Sequence, residues 1–206
     1  MRVTVIDYKA GNLTSVLKTL HYLGAETQVT DGDLSLVRSA ERIVLPGVGH
    51  FAATQRLDAT GLTGAIRAAI ARGVPFLGIC VGMQWLYAGS TEAPSQPGLG
   101  VFAELCTRFP EGYEKVPHVG WNSLEPMPGS RLLAGVESGA YVYFTHSFKG
   151  PVTQDTAAVT TYIEPFAAVV ERSNVFGVQF HPEKSAETGL KILRNFLSLD
   201  VEGATC

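Results

Sequence analysis

Residues 75–87 read PFLGICVGMQWLY, and this stretch decides the fold. The run from Pro75 to Ile79 is apolar and predicts a buried strand, while the residues after Cys80 (VGMQWLY) predict a helix. A strand of this kind that leads directly into a helix is typical of a sheet covered on both faces. The segment therefore predicts an α/β protein.

Further strands and helices alternate on the N-terminal side of this segment. Strands are predicted at 2–7, 26–30 and 41–45, the last closed by Pro46. Two helices are predicted from apolar residues at helical spacing that end at a glycine: Leu13, Val16, Leu17, Leu20 and Leu23 before Gly24, and Leu62, Ile66 and Ile70 before Gly73. The alternation indicates a parallel sheet with flanking helices.

The pattern changes after about residue 96. Closely spaced strands are predicted at 141–148, 157–163, 167–171 and 175–180, as antiparallel hairpins, and a last helix at 186–199. We find no internal repeat and no low-complexity linker. We therefore expect residues 1–206 to form a single α/β domain around a mixed, mostly parallel sheet.

Composition excludes several classes of protein. The chain has 206 residues, of which 46% are hydrophobic and 17% charged, which excludes a disordered chain. A net charge of −3 argues against a nucleic-acid partner. The uncharged segment 73–91 is nearly long enough to cross a membrane, but its proline, glutamine and glycines favour a buried strand and helix.

The three cysteines, at 80, 106 and 206, form no disulfide framework and no zinc spacing, which suits a reducing compartment. The first residues do not have the pattern of a signal peptide. We therefore expect a cytoplasmic protein in which Cys106 and Cys206 take no part in chemistry.

The motif Gly78-Ile79-Cys80-Val81-Gly82 has the spacing of a nucleophile elbow, with sulfur in place of the serine oxygen. Small residues on either side allow the tight turn from strand to helix. The positive end of a helix dipole favours a thiolate at that position. The motif alone leaves two interpretations open, a nucleophilic Cys80 and a buried structural cysteine.

A cysteine nucleophile needs a base and an orienting group. His181 follows a predicted strand, and Glu183 lies two residues later, within reach of one imidazole nitrogen. A loop histidine beside a solvated glutamate is the alternative. The H-x-E pattern also opens a zinc deaminase signature, but the P-C-x-x-C that it requires is absent.

The loop Pro46-Gly47-Val48-Gly49 lies between a predicted strand and a predicted helix. Its glycines match part of a dinucleotide-binding pattern, but residues 67–72 hold no acidic side chain for a ribose, so we reject a nicotinamide cofactor. Such a loop can instead present backbone N–H groups to an oxyanion.

Taken together, the motifs resemble one family. The sequence is similar to the glutaminase subunit of imidazole glycerol phosphate synthase, a class I (triad) glutamine amidotransferase, along essentially its whole length. The resemblance rests on these segments: IDYKAGNLTSV (6–16), LPGVGHF (45–51), LGICVGMQ (77–84), VPHVGWN (116–122), YFTHSF (143–148) and GVQFHPEKS (177–185). Lys9 and Phe148 depart from the family pattern, and neither touches the proposed triad.

The resemblance implies a flavodoxin-like fold and roles for particular residues. It implies a catalytic triad of Cys80, His181 and Glu183 acting on L-glutamine, with no metal and no cofactor. It implies that the substrate and its oxyanion are bound by Gly47, Val48, Gly49, Val81, Gln84, Glu92, His146 and Ser147. It also implies a (β/α)8-barrel cyclase subunit as partner in a heterodimer, facing Asn12, Trp121, Tyr143 and Lys184.

Three alternatives remain open at this point. A sibling amidotransferase is disfavoured by PHVGWN and HPEKS. A stand-alone cysteine hydrolase of the elbow type would place its acid before the histidine, whereas Glu183 follows His181. A non-catalytic binding subunit would be expected to lack a triad member, and none is missing.

Overall fold

The structure is a computed structural model that describes residues 1–112 and 114–199. Its six α-helices within those residues are α1 Leu13–Tyr22, α2 Leu34–Arg38, α3 Gln55–Ala59, α4 Leu62–Ala71, α5 Val81–Gln84 and α6 Ala186–Leu197, and two 3₁₀ helices lie at Phe51–Thr54 and Pro182–Lys184. The strands are β1 Arg2–Ile6, β2 Glu26–Thr30, β3 Ile43–Gly47, β4 Phe76–Cys80, β5 Gly89–Ser90, β6 Leu105–Arg108, β7 His118–Ser123, β8 Glu125–Pro126, β9 Tyr141–His146, β10 Phe148–Lys149, β11 Thr156–Tyr162, β12 Glu164–Arg172 and β13 Val175–Val178.

The main sheet has eight strands in the order β2-β1-β3-β4-β13-β12-β11-β8. The first five run parallel and the last three antiparallel. Every residue of β3, β4 and β13 is buried, as expected for strands covered on both faces. The predicted α/β architecture with a mixed, mostly parallel sheet is confirmed.

Strand order decides where the chemistry lies. Strands β4 and β13 are distant in sequence, but they pair in parallel, with Ile79 opposite Val178. Their carboxyl ends therefore meet at one edge of the sheet, so Cys80 and the residues after Val178 lie side by side.

Four sequence predictions are corrected. The predicted helix VGMQWLY is helical only over α5. Trp85 and Tyr87 are buried in the core, and the Trp85 carbonyl accepts a hydrogen bond from the Leu99 N–H at 2.6 Å instead of continuing the helix. Pro46 does not close β3, which continues to Gly47. The predicted strand 141–148 is divided at Ser147 into β9, which pairs with β7, and β10, which pairs with β6.

The fourth correction concerns β13. It was expected in an antiparallel hairpin, and it does pair with β12 in that way, but its other edge pairs in parallel with β4. Strand β7 was missed altogether, because its sequence HVGWNS holds only two apolar side chains, Val119 and Trp121, which is too few for a recognisable strand pattern. Within residues 1–112 and 114–199, no helix has both the length and the apolar character to cross a bilayer.

Candidate active site

Cys80 lies at a strained turn between β4 and α5. Its backbone has φ 53° and ψ −107°, a conformation that costs about 1–3 kcal/mol and persists only where the surroundings enforce it. Glycines make the turn possible. A Cβ on Gly82 would overlap the carbonyl oxygen of Leu45, and a Cβ on Gly78 would overlap that of Gly82. The motif G-x-C-x-G is therefore a steric requirement of this turn.

The Cys80 side chain is almost fully enclosed. The residue is 3% exposed, and its Sγ lies 3.9 Å from the carbonyl oxygen of Thr145 and 3.6 Å from Nε2 of Gln179. The N-terminal end of α5 adds the positive end of a short row of peptide dipoles. The sulfur thus has one carbonyl and one amide as its hydrogen-bonding neighbours among the residues described.

His181 is held rigidly beside it. Its backbone N–H donates to the Tyr143 carbonyl at 2.9 Å, and its own carbonyl accepts from Ser185 Oγ at 2.6 Å. The ring is completely buried, and Nδ1 lies 2.9 Å from Oε1 of Glu183. Nε2 is buried and makes no hydrogen bond within the described part of the chain, which leaves this nitrogen for proton transfer.

Electrostatics favour a charged imidazole at this position. Burial lowers the pKa of His181, but the neighbouring Cys80 and Glu183 outweigh burial and raise the pKa to about 9. A thiol, an imidazole and a carboxylate in this order can form a thiolate–imidazolium pair, with the carboxylate stabilising the positive ring.

Asn12 lies on the carboxylate side of His181. Its Nδ2 donates to Oε1 of Glu183 in a short contact and lies 3.4 Å from Nδ1 of His181. The expectation that Asn12 faces a partner subunit did not foresee this contact. The remaining carboxylate oxygen, Oε2, is buried without a hydrogen-bond partner in the region that the structure covers. Asn12 therefore fixes which oxygen faces the imidazole.

A pocket of about 220 Å³ opens in front of Cys80. Six of the eight residues expected to bind substrate line it, namely Gly49, Val81, Gln84, Glu92, His146 and Ser147. Pro117, Thr145 and Phe148 line it as well and were not foreseen. Glu92 is already engaged, because its Oε2 accepts from the Phe51 N–H at 2.7 Å.

The side chain of His146 is also committed elsewhere. Its Nδ1 lies 2.9 Å from the Phe148 carbonyl oxygen, and its Nε2 lies 3.1 Å from Nδ1 of His118. Burial lowers the pKa of His146 to about 3 and that of His118 to about 4, so both rings are neutral at pH 7. His146 therefore shapes the wall of the pocket with both ring nitrogens occupied.

The loop 47–49 does not offer all its N–H groups to the pocket. The Val48 N–H donates to the Ala10 carbonyl at 3.0 Å, which turns it away from Cys80. Gly49 has φ 98°, a conformation that favours glycine. Gly47 must be glycine because the buried hydroxyl of Tyr8 occupies the space of a Cβ. In this arrangement, Val48 supplies no oxyanion donor.

The residues expected to face a partner lie partly together. Trp121 on β7 is opposite Tyr143 on β9, with their rings edge to face at 6.0 Å. Lys184 Nζ lies 5.8 Å from the centre of the Tyr143 ring. Trp121 is 52% exposed and Lys184 is exposed. These three residues form a surface next to His181. The Asn12 side chain is instead partly buried against Glu183.

Other functional contacts were missed. Gln179, which contacts the sulfur, lies two residues before His181, and the alternation of an extended chain predicts that both point to the same side. No sequence signal points to Tyr8.

Cys106 is a fully buried thiol with a raised pKa caused by burial, and Cys206 lies outside the described residues. No cluster of three or more metal-ligating side chains occurs at 1–112 or 114–199.

Comparison with known proteins gives the family. The family model for class-I glutamine amidotransferases matches residues 4–199, so the chain belongs to that class. The fold is similar to that of a chain in the structure of PurLQS from Thermotoga maritima, with a TM-score of 0.72 at 21% identity, covering 95% of this chain and 97% of that one.

Within the class, the chain belongs to the family of the imidazole glycerol phosphate synthase subunit HisH. The protein of that name from Caldanaerobacter subterraneus subsp. tengcongensis is 45% identical over 197 residues, covering 94% of this chain and 96% of that protein. The one from Salinibacter ruber is 46% identical over 207 residues, covering 95% and 94%. The resemblance read from the motifs is thereby confirmed.

Proposed function

We propose that this chain is the glutaminase subunit of imidazole glycerol phosphate synthase, acting in histidine biosynthesis in the cytoplasm as a single amidotransferase domain. The observation that carries the proposal is the meeting of Cys80 with the buried His181–Glu183 pair at the ends of two adjacent parallel strands. Identities of 45–46% to HisH proteins support this amidotransferase over one that serves a different synthase.

The proposed reaction begins at the sulfur. The Cys80 thiolate attacks the side-chain amide carbon of L-glutamine, and backbone N–H groups stabilise the tetrahedral oxyanion. His181 gives its proton to the leaving nitrogen, so ammonia departs and a glutamyl thioester remains. His181 then takes a proton from water, which hydrolyses the thioester to glutamate. Glu183 holds the ring and stabilises its charged form throughout.

The ammonia has a proposed destination in a (β/α)8-barrel cyclase subunit. The surface of Trp121, Tyr143 and Lys184 supports this, because it carries an exposed aromatic residue and a cation beside the His181 segment. Such a surface is suited to a protein partner. Neither a nucleic acid nor a membrane is expected as a partner, and no metal or cofactor is needed for these steps.

The test uses the complex with the cyclase. Cys80→Ala should abolish synthesis from glutamine and leave synthesis from added ammonium salt intact, because the second subunit performs that chemistry. Cys106→Ala, a change at a buried cysteine outside the pocket, should keep glutamine-dependent activity within a few-fold. Glutamine-dependent turnover by the Cys80 variant would refute the assignment.

We also propose that the loop 47–49 restrains the isolated chain. While the Val48 N–H is held by Ala10, one oxyanion donor is missing, and a lost donor of this kind costs roughly 10²–10³ in rate. Glutaminase activity should therefore rise stepwise from the chain alone, to the complex, to the complex with the cyclase ligand. Equal rates in the three samples would exclude this restraint.

A further inference from the structure

Gln179 is a buried amide that the proposed mechanism does not yet use. It is 0% exposed, and its Nε2 lies 3.6 Å from the sulfur of Cys80. The Thr145 carbonyl oxygen lies 3.9 Å from the same sulfur. An amide N–H stabilises a negative sulfur, whereas a carbonyl oxygen stabilises the protonated thiol. The amide of Gln179 therefore opposes the effect of the Thr145 carbonyl.

The orientation of the Gln179 amide is imposed by Gln84. The Gln84 Nε2 lies 2.9 Å from the Phe148 carbonyl oxygen, which can only accept, so the NH₂ group of Gln84 must be on that side. The same NH₂ group lies 3.2 Å from Oε1 of Gln179. With its oxygen on Gln84, Gln179 has only its NH₂ group left to face the sulfur.

Two histidines lie on the other side of the Phe148 carbonyl. His146 is neutral and donates from Nδ1 to the Phe148 carbonyl at 2.9 Å. Its unprotonated Nε2 accepts from Nδ1 of His118 at 3.1 Å, and Nε2 of His118 lies 3.4 Å from Nδ2 of Asn122. Both lone pairs of the Phe148 oxygen are thus occupied, by His146 and Gln84. Donors from both sides thus meet at the Phe148 oxygen, and from Gln84 onward each NH₂ group donates toward the sulfur.

We propose that Gln179 is a further catalytic residue, whose side-chain N–H donates to Cys80 and stabilises the thiolate that attacks glutamine. This inference rests on the proposed function of Cys80. A purely structural role would require only that the polar atoms of a buried glutamine find partners. The two roles differ in what happens to the sulfur when Gln179 is replaced. Loss of a catalytic donor makes the thiolate harder to form, whereas loss of a purely structural residue leaves the protonation of Cys80 unchanged.

The first experiment measures alkylation of Cys80 by iodoacetamide between pH 5 and 10, located by peptide mass spectrometry. Gln179→Met removes the donor without adding charge, and Gln179→Glu places an oxygen against the sulfur at similar size. A hydrogen bond to a charged group corresponds to a shift of roughly one to two pH units in the midpoint of alkylation, upward in both variants. At pH 7, kcat/KM for glutamine in the complex should fall about 10- to 100-fold.

Thr160→Val is the matched control. Thr160 is 1% exposed and donates to the Ser123 carbonyl at 2.9 Å, so this change also removes a buried hydrogen bond, but one outside the pocket. Its alkylation midpoint should be that of the unaltered chain. Midpoints for both Gln179 variants within 0.2 pH units of the unaltered chain would overturn the proposal.

A second measurement needs no Gln179 variant and decides the question even if those variants do not fold. In the unaltered chain, the side-chain amide proton resonances of Gln179 should titrate with the same midpoint as alkylation of Cys80, and in Cys80→Ala they should not titrate. Resonances that stay constant across that midpoint would refute the role of Gln179. If Cys80→Ala kept glutamine-dependent synthesis, the proposed function itself would fail, which is a separate outcome.

Discussion

Replacing Glu183 by glutamine removes one charge from the proposed triad with little change of shape. The pKa of His181 rises from 6.5 to about 9, because Cys80 and Glu183 together stabilise the imidazolium by more than burial disfavours it, and this net shift corresponds to about 3 kcal/mol. Because the ring is fully buried, this interaction is little screened by solvent. Loss of about 3 kcal/mol of stabilisation would lower the rate by roughly 100- to 300-fold.

Asn12 limits the damage from Glu183→Gln. Its Nδ2 and the Nδ1–H of His181 both donate to the same carboxylate oxygen, so the oxygen of the introduced amide is held in that position. The imidazole should therefore keep its tautomer and lose only the stabilisation by charge. We expect kcat to fall about 10²- to 10³-fold, less than the ~10⁴-fold loss seen where a wrong tautomer results.

The assay is steady-state glutamine hydrolysis by the complex, with kcat and KM determined separately. Glu183→Gln should lower kcat and leave KM within threefold, and Asn12→Ala added to it should lower kcat further, because the amide is then free to turn. Glu187→Gln, an exposed position in the first turn of α6, is the control and should have no effect. A tenfold rise in KM with unchanged kcat would place Glu183 in the substrate pocket and refute the reasoning.

Two further predictions concern stability, both measured by urea unfolding. Gly82→Ala should lower the free energy of unfolding by about 2–4 kcal/mol, because the added Cβ meets a backbone carbonyl. Gly64→Ala, where nothing lies within 4 Å, should instead raise it by about 0.5–1 kcal/mol through helix propensity. When the pH is lowered from 6.5 to 5, the free energy of unfolding should fall by up to ~1.4 kcal/mol per pH unit for each of His118 and His146.

The sign of this pH dependence follows from the lowered pKa values. In the unfolded chain, both imidazoles take up protons below pH 6.5. In the folded chain, the His118 ring stays neutral until about pH 4 and the His146 ring until about pH 3, so acid favours unfolding. His146→Asn should remove its share of the slope, and Thr160→Val, which changes a buried side chain without removing a titratable group, should keep the full slope. A flat stability over this range, or Gly82→Ala as stable as the unaltered chain, would contradict these predictions.

The local sequence determined the strands, the helices and the position of the elbow. The strands at 2–7, 26–30 and 75–79 and the helices that begin at Leu13 and Leu62 are recognisable because hydrophobic periodicity and glycine stops are local properties. The elbow is equally local, since a turn this tight needs small residues on both sides of Cys80. Strand β7 has no such local pattern, and it was missed because the sequence alone gives no other sign of a strand there.

Tertiary structure decided which distant residues meet. The pairing of β4 with β13 brings Cys80 next to His181, and the packing of the first loop brings Asn12 onto Glu183 across 171 positions of sequence. The same packing turns the Val48 N–H toward Ala10 and the Gln179 amide toward the sulfur. Periodicity cannot predict these contacts, because they depend on strand order and on the direction of individual hydrogen bonds, which only the folded chain fixes.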